Sequence, residues 1–493
     1  MTEGDVRESA GPTDTRVRTI EGRGSVAVVG GGIAGLSAAF LLRDAGLAVT
    51  LLEGSPRLGG KLALSDVAGA AVDVGAEALL ARRPEGTGLI GELGLSAELQ
   101  LPGTTSAGIW TRGAIRALPL RHFMGVPADF DDLEASGVVS ADGVARARQD
   151  RSLPATEPDG DQSVASRVGD RLGTEVVDRL VEPLLGGVYA GRCDDLSFDA
   201  ALPALARAAH GHLSLSAAAA SLLGPAQPTG GLQPDEPEPT PVFTTLTGGL
   251  GSLPAVLAAK SGAVVRTSAM VRELARTDTG WRLTVGSAHA PELVDTDAVI
   301  IAVPAVPAAR LLTGVSSAAA AALGEIKYAS MAIVTLAYPV AAFSAQPTGS
   351  GFLVPPVDGR AIKAVTFSTV KWPHLQRDSP GLHLVRCSVG RLGEDAVLQR
   401  TDEDLAALAA ADLAEATGVA GNPVDVRVSR WGGGLPQYSV GHLDRVSRIR
   451  TAIAALPSVA VCGAAYDGVG IPACIATARL AVDQILAYFS SQS

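Results

Sequence analysis

Gly30, Gly32 and Gly35 fit the pattern G-x-G-x-x-G at the end of the apolar run Val26 to Val29, and an acid, Glu53, closes the next apolar run, Val49 to Leu52. Four residues further on, Arg57-Leu58-Gly59-Gly60-Lys61 sets a second glycine pair between two basic side chains. The chemistry such residues serve is the holding of a dinucleotide. A first glycine permits a tight turn, a second lets the backbone approach a pyrophosphate, and a third lets helix pack on strand. The N–H groups and positive dipole end of the helix then face the phosphates. Glu53 follows Gly35 by 18 residues, the distance at which an acid takes the ribose hydroxyls. The nucleotide contacts are expected at Gly30, Gly31, Gly32, Ile33, Ala34, Gly35, Glu53 and Gly54.

A glycine-rich turn alone also occurs for steric reasons. Here a strand, a turn, a helix, a second strand and an acid occur in the order the mechanism requires, a βαβ unit built around the turn. The motif E-x-x-x-R-x-G-G-[KR] of Glu53 to Lys61 resembles the second signature of glutathione-reductase-type flavoproteins, the amine oxidase superfamily in particular. That resemblance implies FAD rather than NAD and adds Arg57, Gly59, Gly60 and Lys61 to the cofactor set.

At 493 residues the chain exceeds one ordinary core, and two or three connected domains are expected. Hydrophobic residues at 47% and charged residues at 18% describe a globular protein. A net charge of −11 argues against nucleic acid as partner and against general attraction to anionic lipid. Any anionic substrate therefore needs a locally basic pocket. Cys193, Cys387, Cys462 and Cys474 show no C-x-x-C spacing and the seven histidines form no H-E-x-x-H cluster, so neither a disulfide framework nor a metal site is expected. The polar N-terminus has no apolar core of a secretory signal, and no uninterrupted apolar stretch approaches membrane-spanning length. The expectation is a soluble, cytoplasmic protein without a transmembrane segment, with peripheral membrane contact left open.

Beyond the βαβ unit, Val72 to Glu77 reads as strand and turn, Ile109 to Leu118 as a hairpin, Val164 to Leu185 and Ala200 to Ala220 as helix, and Ala226 to Pro241, with five prolines, as a surface loop. Val264 to Val271 and Ala298 to Val303 read as strands. Segments near Met331 to Tyr338, Ala361 to Thr369 and His383 to Val389 alternate like antiparallel strands flooring a pocket, and Leu405 to Ala416 reads as an amphipathic helix. The fold class expected is α/β with an additional α part: a Rossmann-like FAD-binding domain, an antiparallel-sheet substrate domain and a helical insertion. Its parts are a disordered tail over 1–24, the FAD-binding domain over 25–85, 243–305 and 425–493, a mainly helical insertion over 86–220, a flexible Pro-rich loop over 221–242, and the substrate-binding domain over 306–424.

Three further motifs narrow the resemblance. They are E-P-L-L-G-G-V-Y-A-G at Glu182 to Gly191, P-Q-Y-x-x-G-H at Pro436 to His442, and G-x-x-Y-x-G-V-G-I-P at Gly463 to Pro472. With them the chain, from about Ser25 to Leu486, resembles the bacterial protoporphyrinogen and coproporphyrinogen oxidases of haem synthesis, in their Gram-positive branch. The resemblance implies noncovalent FAD, contacted also by Gly75, Ala76, Glu77, Ala78, Val271, Leu443, Gly463, Val469, Gly470 and Ile471. It implies six-electron oxidation of a porphyrinogen with O2 as acceptor, coproporphyrinogen III preferred over protoporphyrinogen IX, and transient hand-off of product to ferrochelatase. Substrate contacts are expected at Arg82, Arg83, Arg112 and Lys371, to offset propionate charge, and at Leu353 and Trp372, to pack on the macrocycle. No side chain is expected as an obligatory base, since the flavin carries the redox chemistry. The chain lacks a lysine from Pro304 to Ile326, where amine oxidases usually place one near the flavin, which weakens the amine reading. Other readings of the same N-terminal motifs are a carotenoid desaturase, an amine oxidase, or a flavin-free binding module like the Rab GDP-dissociation inhibitors.

Overall fold

Val26 to Val29 and Leu51 to Leu52 are apolar on both faces because they are the middle of a parallel sheet covered on both sides. The computed structural model describes residues 24–154, 160–223 and 242–492; residues 1–23 of the expected tail and most of the expected Pro-rich loop, 224–241, lie outside them. The parallel sheet has five strands, in the order Val264–Arg266, Ala48–Leu52, Ser25–Val29, Ala298–Ile301, Val459–Val461. One face packs on the helices Ile33–Leu41 and Ile471–Gln492 through Leu36, Ala38, Ala39, Ile475 and Ala478. The other packs on a three-stranded antiparallel sheet spanning 271–296 and on helices within 305–324 and 442–454.

The second layer is a seven-stranded mixed sheet, ordered Asp425–Pro436, Tyr328–Pro339, Leu382–Val389, Ile362–Phe367, Gly351–Leu353, Gly108–Thr111, Ala114–Ala117. One face is sealed by the helix Asp402–Thr417, which Thr401 caps by accepting from the Asp404 N–H at 3.2 Å and Gly418 ends at φ +70°. A third core is helical, drawn from Phe130 to Ala219.

Several boundaries differ from the sequence expectation. Gly108–Ala117, assigned to the helical insertion, supplies two strands to the seven-stranded sheet, and the helix Pro84–Glu92 packs with the nucleotide domain through Leu89 and Ile90. Asp425–Pro436, assigned to the FAD-binding domain, pairs along Tyr328–Pro339 instead. The helix read over Val164 to Leu185 breaks at Gly173, φ +90°, into Val164–Leu172 and a second stretch ending in Glu182–Tyr189. Val264 to Val271 is two strands: the chain leaves the parallel sheet after Arg266, turns at Ser268, φ +53°, and enters the antiparallel sheet at Val271. Among the described residues one helix, Ile471–Gln492, is long and apolar enough to cross a membrane, and more than half of its apolar window is buried inside the fold.

Candidate functional site: a dinucleotide cradle against the seven-stranded sheet

The glycine turn is closed from both sides. The Gly30 N–H donates to the Leu52 carbonyl at 2.8 Å, and Glu53 accepts from the Gly31 N–H and the Ser55 N–H, each at 2.7 Å. Gly32 caps the helix Ile33–Leu41 with no side-chain partner, leaving the first N–H groups open to an anion. A Cβ at Gly32 would meet nothing within 4 Å, whereas one at Gly35 would lie 1.9 Å from the Gly30 carbonyl oxygen. The middle glycine therefore keeps space for something outside the chain, and the last keeps helix on strand. Ala34 is buried beneath the turn and Ile33 half-buried at its rim.

The second glycine pair lies directly on the first. The Gly59 N–H donates to the Gly31 carbonyl at 2.7 Å, and a Cβ on Gly60, φ +56°, would stand 3.3 Å from the Gly32 Cα. Arg57 braces this loop from outside, with Nη2 on the Gly60 carbonyl at 2.6 Å and its guanidinium 5.7 Å from the Trp431 ring. At the other end, the Ala269 N–H donates to the Glu53 carbonyl at 2.8 Å and a Cβ on Gly54 would press on Met270. The segment leading into Val271 thus runs beside the acid, so Glu53, Gly54 and Val271 are brought together across about 200 residues of chain.

Farther along, the Ala76 N–H donates to the Lys61 carbonyl at 3.0 Å, which sets the turn Gly75 to Ala78 beside Lys61. Burial pushes the Lys61 ammonium below its ordinary pKa. Glu77 is the hub of an ion-pair cluster: Lys371 Nζ stands 2.7 Å from one carboxylate oxygen and Arg386 pairs with the other, while Arg386 Nη2 also donates to the Gly75 carbonyl at 2.6 Å. Burial works to raise the Glu77 pKa, and the charges of Arg386 and Lys371 overcome it, holding the group at about 2. Neighbouring Asp73 is pushed up to about 6 by burial, against the pull of the Gly251 N–H and Arg386.

The three C-terminal and helical motifs meet behind the loop that follows the last parallel strand. Tyr438 Oη donates to the Ala464 carbonyl at 2.7 Å and accepts from the Gly468 N–H at 2.7 Å. Its ring stacks on His442 at 3.8 Å, and His442 Nε2 meets the Tyr466 carbonyl at 2.9 Å. Gln437 Nε2 donates to the Tyr189 carbonyl at 2.7 Å, tying in the helix Glu182–Tyr189. These residues shape the loop rather than react. It turns at Gly463, φ +123°, and delivers Gly470 as the cap of the helix Ile471–Gln492, accepting from the Cys474 N–H at 3.0 Å. Pro472 lacks an N–H, and the Ile471 and Ala473 N–H groups, in the first turn, have no partner within the helix; half-buried Val469 lies just before them.

The expected substrate cations do not gather. Arg83 is half-exposed and pairs with Glu85 at 2.8 Å, Arg82 is exposed, and Arg112 is exposed on a hairpin tip at φ +53°. Lys371 is committed to Glu77. Trp372, 2% exposed, is buried in the wall instead of lining a slot. Leu353 is half-buried and packs on the helical core, with the position of a Cβ on Gly187 3.7 Å away. Leu443, expected at the cofactor, is exposed and lines a groove of about 350 Å³ with Pro203, Ala206 and His210, apart from the glycine turns. Three buried cations that the sequence reading passed over, Lys363, Arg386 and Arg391, stand on or beside the seven-stranded sheet. Their signal was a charged residue inside an alternating apolar strand or directly after it. Among the described residues no cluster of three or more His, Cys, Asp or Glu forms a metal site.

The family described as flavin containing amine oxidoreductase matches residues 33–486. Coproporphyrinogen III oxidase of Mycobacterium tuberculosis is 39% identical, over 95% of this chain and 98% of its own length. The Bacillus subtilis enzyme of that name is 32% identical, over 96% of this chain and 100% of its own. A solved structure of an Exiguobacterium protein assigned as a protoporphyrinogen oxidase shares 30% identity with a TM-score of 0.80, covering 97% of this chain and 100% of that one. Putrescine oxidase, at 18% identity and a TM-score of 0.67, shares the fold. The open N–H groups at Gly32, the space above it and the helix start at Gly470 fit FAD at its phosphate and ring ends, and with these relatives they place the chain in the flavin-containing amine oxidoreductase family, an FAD-dependent oxidoreductase with relatives named coproporphyrinogen III oxidase.

Proposed function

We propose that this protein oxidises coproporphyrinogen III to coproporphyrin III, consuming three O2 and releasing three H2O2 for the six electrons removed. The observation that carries the reading is the meeting of Tyr189, Gln437, Tyr438 and His442 behind the Gly463 to Gly470 loop, which joins the three motifs that separate porphyrinogen oxidases from other flavoproteins. When bound, noncovalently, FAD supplies the acceptor for each hydride and passes the electron pair to O2. The chain's own part is to bind and orient. Gly30 to Gly35, Glu53 and the Gly59-Gly60 loop hold the dinucleotide. The N-terminus of Ile471–Gln492 offers N–H donors and a positive dipole end where the reduced ring gathers negative charge. The sheet face carrying Leu353 and Met331 provides an aliphatic wall for the macrocycle. Of the three protons lost, two come from pyrrole N–H groups and one from the fourth meso carbon, which reaches a nitrogen by tautomerisation; all three leave to water, so no side chain is required as base.

The free, buried thiols of all four cysteines suit a reducing compartment, and we place the protein in the cytoplasm, handing product to a ferrochelatase. Protoporphyrinogen IX is the second reading, supported by a Macaca fascicularis protoporphyrinogen oxidase at 29% identity. Steady-state oxidation of both porphyrinogens by the purified holoenzyme decides between them. A higher kcat/KM for coproporphyrinogen III supports the proposal, and an equal or lower one overturns the substrate assignment.

A further inference from the structure

Alternation divides the seven-stranded sheet into two faces. Ala332, Val334, Leu336, Val385, Cys387 and Val389 bury against the helix Asp402–Thr417. The opposite face carries Met331, Ile333, Thr335, Arg386 and Ser388, with Ile333 paired to Ser388 and Thr335 to Arg386. In the neighbouring strand the register slips between Ile362 and Ala364, and Ala364 pairs with Ser388. The bulge turns Lys363 onto the same face as Ala364. Lys363 is 4% exposed, and its ammonium has one contact among the described residues, Met331 Sδ at 3.9 Å.

The donors around it are equally open. Ser388 Oγ, Thr335 Oγ1 and Arg386 Nε are buried without a hydrogen-bond partner. Buried donors are ordinarily satisfied, and a buried ammonium is ordinarily paired, so a sheet face with three polar atoms open and an ammonium held only by a thioether is one that receives acceptors. A second buried cation, Arg391, lies close by; it donates to the Val354 carbonyl at 3.1 Å and meets Glu394 at only 3.4 Å. The patch adjoins the edge of the helical core, on which Leu353 packs. Leu353 pairs with Ala364 and lies under Gly187, and the Leu392 N–H donates to the Ala190 carbonyl at 2.7 Å, closing the loop that bears Arg391 on the same helix. Burial first, and the Arg391 charge second, push the Lys363 ammonium down to about 7, a cost that an incoming anion reverses.

We propose that Lys363, with Ser388 Oγ beside it, receives a carboxylate of the tetrapyrrole, and so takes the role the sequence suggested for Arg82, Arg83 and Arg112. The assignment rests on the porphyrinogen reading above. A carboxylate fits because it is acceptor-only and carries the opposite charge, and coproporphyrinogen III offers four of them.

The test compares holoenzyme of the parent with Lys363→Met, Lys363→Gln and Lys363→Arg. The readouts are KM and kcat for coproporphyrinogen III, the Kd of coproporphyrin III by fluorescence, and FAD content. Lys363→Met removes a poorly paired buried charge at similar volume, and Lys363→Gln serves if that variant does not fold. The expected result is a rise in KM and Kd of about 10- to 100-fold, the scale of a lost charged hydrogen bond, with FAD content as in the parent and most of the loss recovered by Lys363→Arg. Unchanged KM and Kd in Lys363→Met or Lys363→Gln overturn the assignment, as does loss of FAD in proportion to loss of activity, which would give the ammonium to the cofactor. A parent that binds FAD yet neither binds coproporphyrin III nor oxidises its porphyrinogen overturns the functional reading and this assignment together.

Discussion

Replacing Glu77 by Gln breaks the cluster that fastens the nucleotide domain's Gly75 to Ala78 turn to the seven-stranded sheet. The Glu77 side chain is 15% exposed, Arg386 7% and Lys371 16%, so the variant leaves two largely buried cations around one neutral amide. The size of the loss follows by two routes. A carboxyl held at about 2 instead of its ordinary 4.5 corresponds to about 3 kcal/mol of stability at neutral pH. Removing one partner of a buried ion pair costs about 3–5 kcal/mol. The two agree, and about 3 kcal/mol is expected at pH 7. The pH dependence has a definite sign. Because the folded state depresses this carboxyl, its contribution is complete above about 4.5 and is lost as pH falls from there towards 2. Urea unfolding of parent and Glu77→Gln holoproteins, compared at pH 7 and again near pH 3, measures the difference. An advantage of the parent below about 1 kcal/mol at pH 7, or one that persists undiminished at pH 3, refutes the reasoning.

Gly32→Val is expected to fold as the parent does, by circular dichroism, and to purify without FAD, since its side chain meets no protein atom and fills the pyrophosphate's approach. Gly35→Ala is expected to do the reverse of selective, lowering folded yield as well as FAD, because its Cβ would strike the Gly30 carbonyl at 1.9 Å. Tyr438→Phe orphans the Ala464 carbonyl and the Gly468 N–H, and flavin titration of the apoprotein is expected to show FAD affinity weakened by about 5- to 100-fold, the scale of one or two buried hydrogen bonds lost. Ala substitutions at Arg82, Arg83 or Arg112 are expected to change kcat/KM for a porphyrinogen by less than about threefold, the scale of an exposed charge.

What the sequence made legible was local. The turn Gly30 to Gly35, its helix and the acid at Glu53 are specified within about 25 residues, so spacing alone carried them, and the second glycine pair fell beside the first because it follows so closely. The long-range pairings were not legible. Arg386 reaches Glu77 across 309 residues and Lys371 across 294, and no spacing rule links those positions. The strand Gly108–Thr111 read correctly as half of a hairpin, yet its parallel pairing with Gly351–Leu353 is a choice of the tertiary fold. Arg83 misled for a reason present in the chain: Glu85, two residues on, takes its charge. Lys363 does stand out as a charge inside an apolar strand, but plain alternation puts it on the face of Val365 and Phe367, and only a bulge, invisible in residue types, moves it to the face of Ala364.

Hydride transfer from a porphyrinogen to FAD in this cradle is observed by anaerobic mixing of the purified holoenzyme with coproporphyrinogen III. The expected result is rapid loss of oxidised-flavin absorbance, followed on admission of O2 by coproporphyrin III and three H2O2 for each product formed. Flavin that stays oxidised with the porphyrinogen but is reduced by an amine contradicts it.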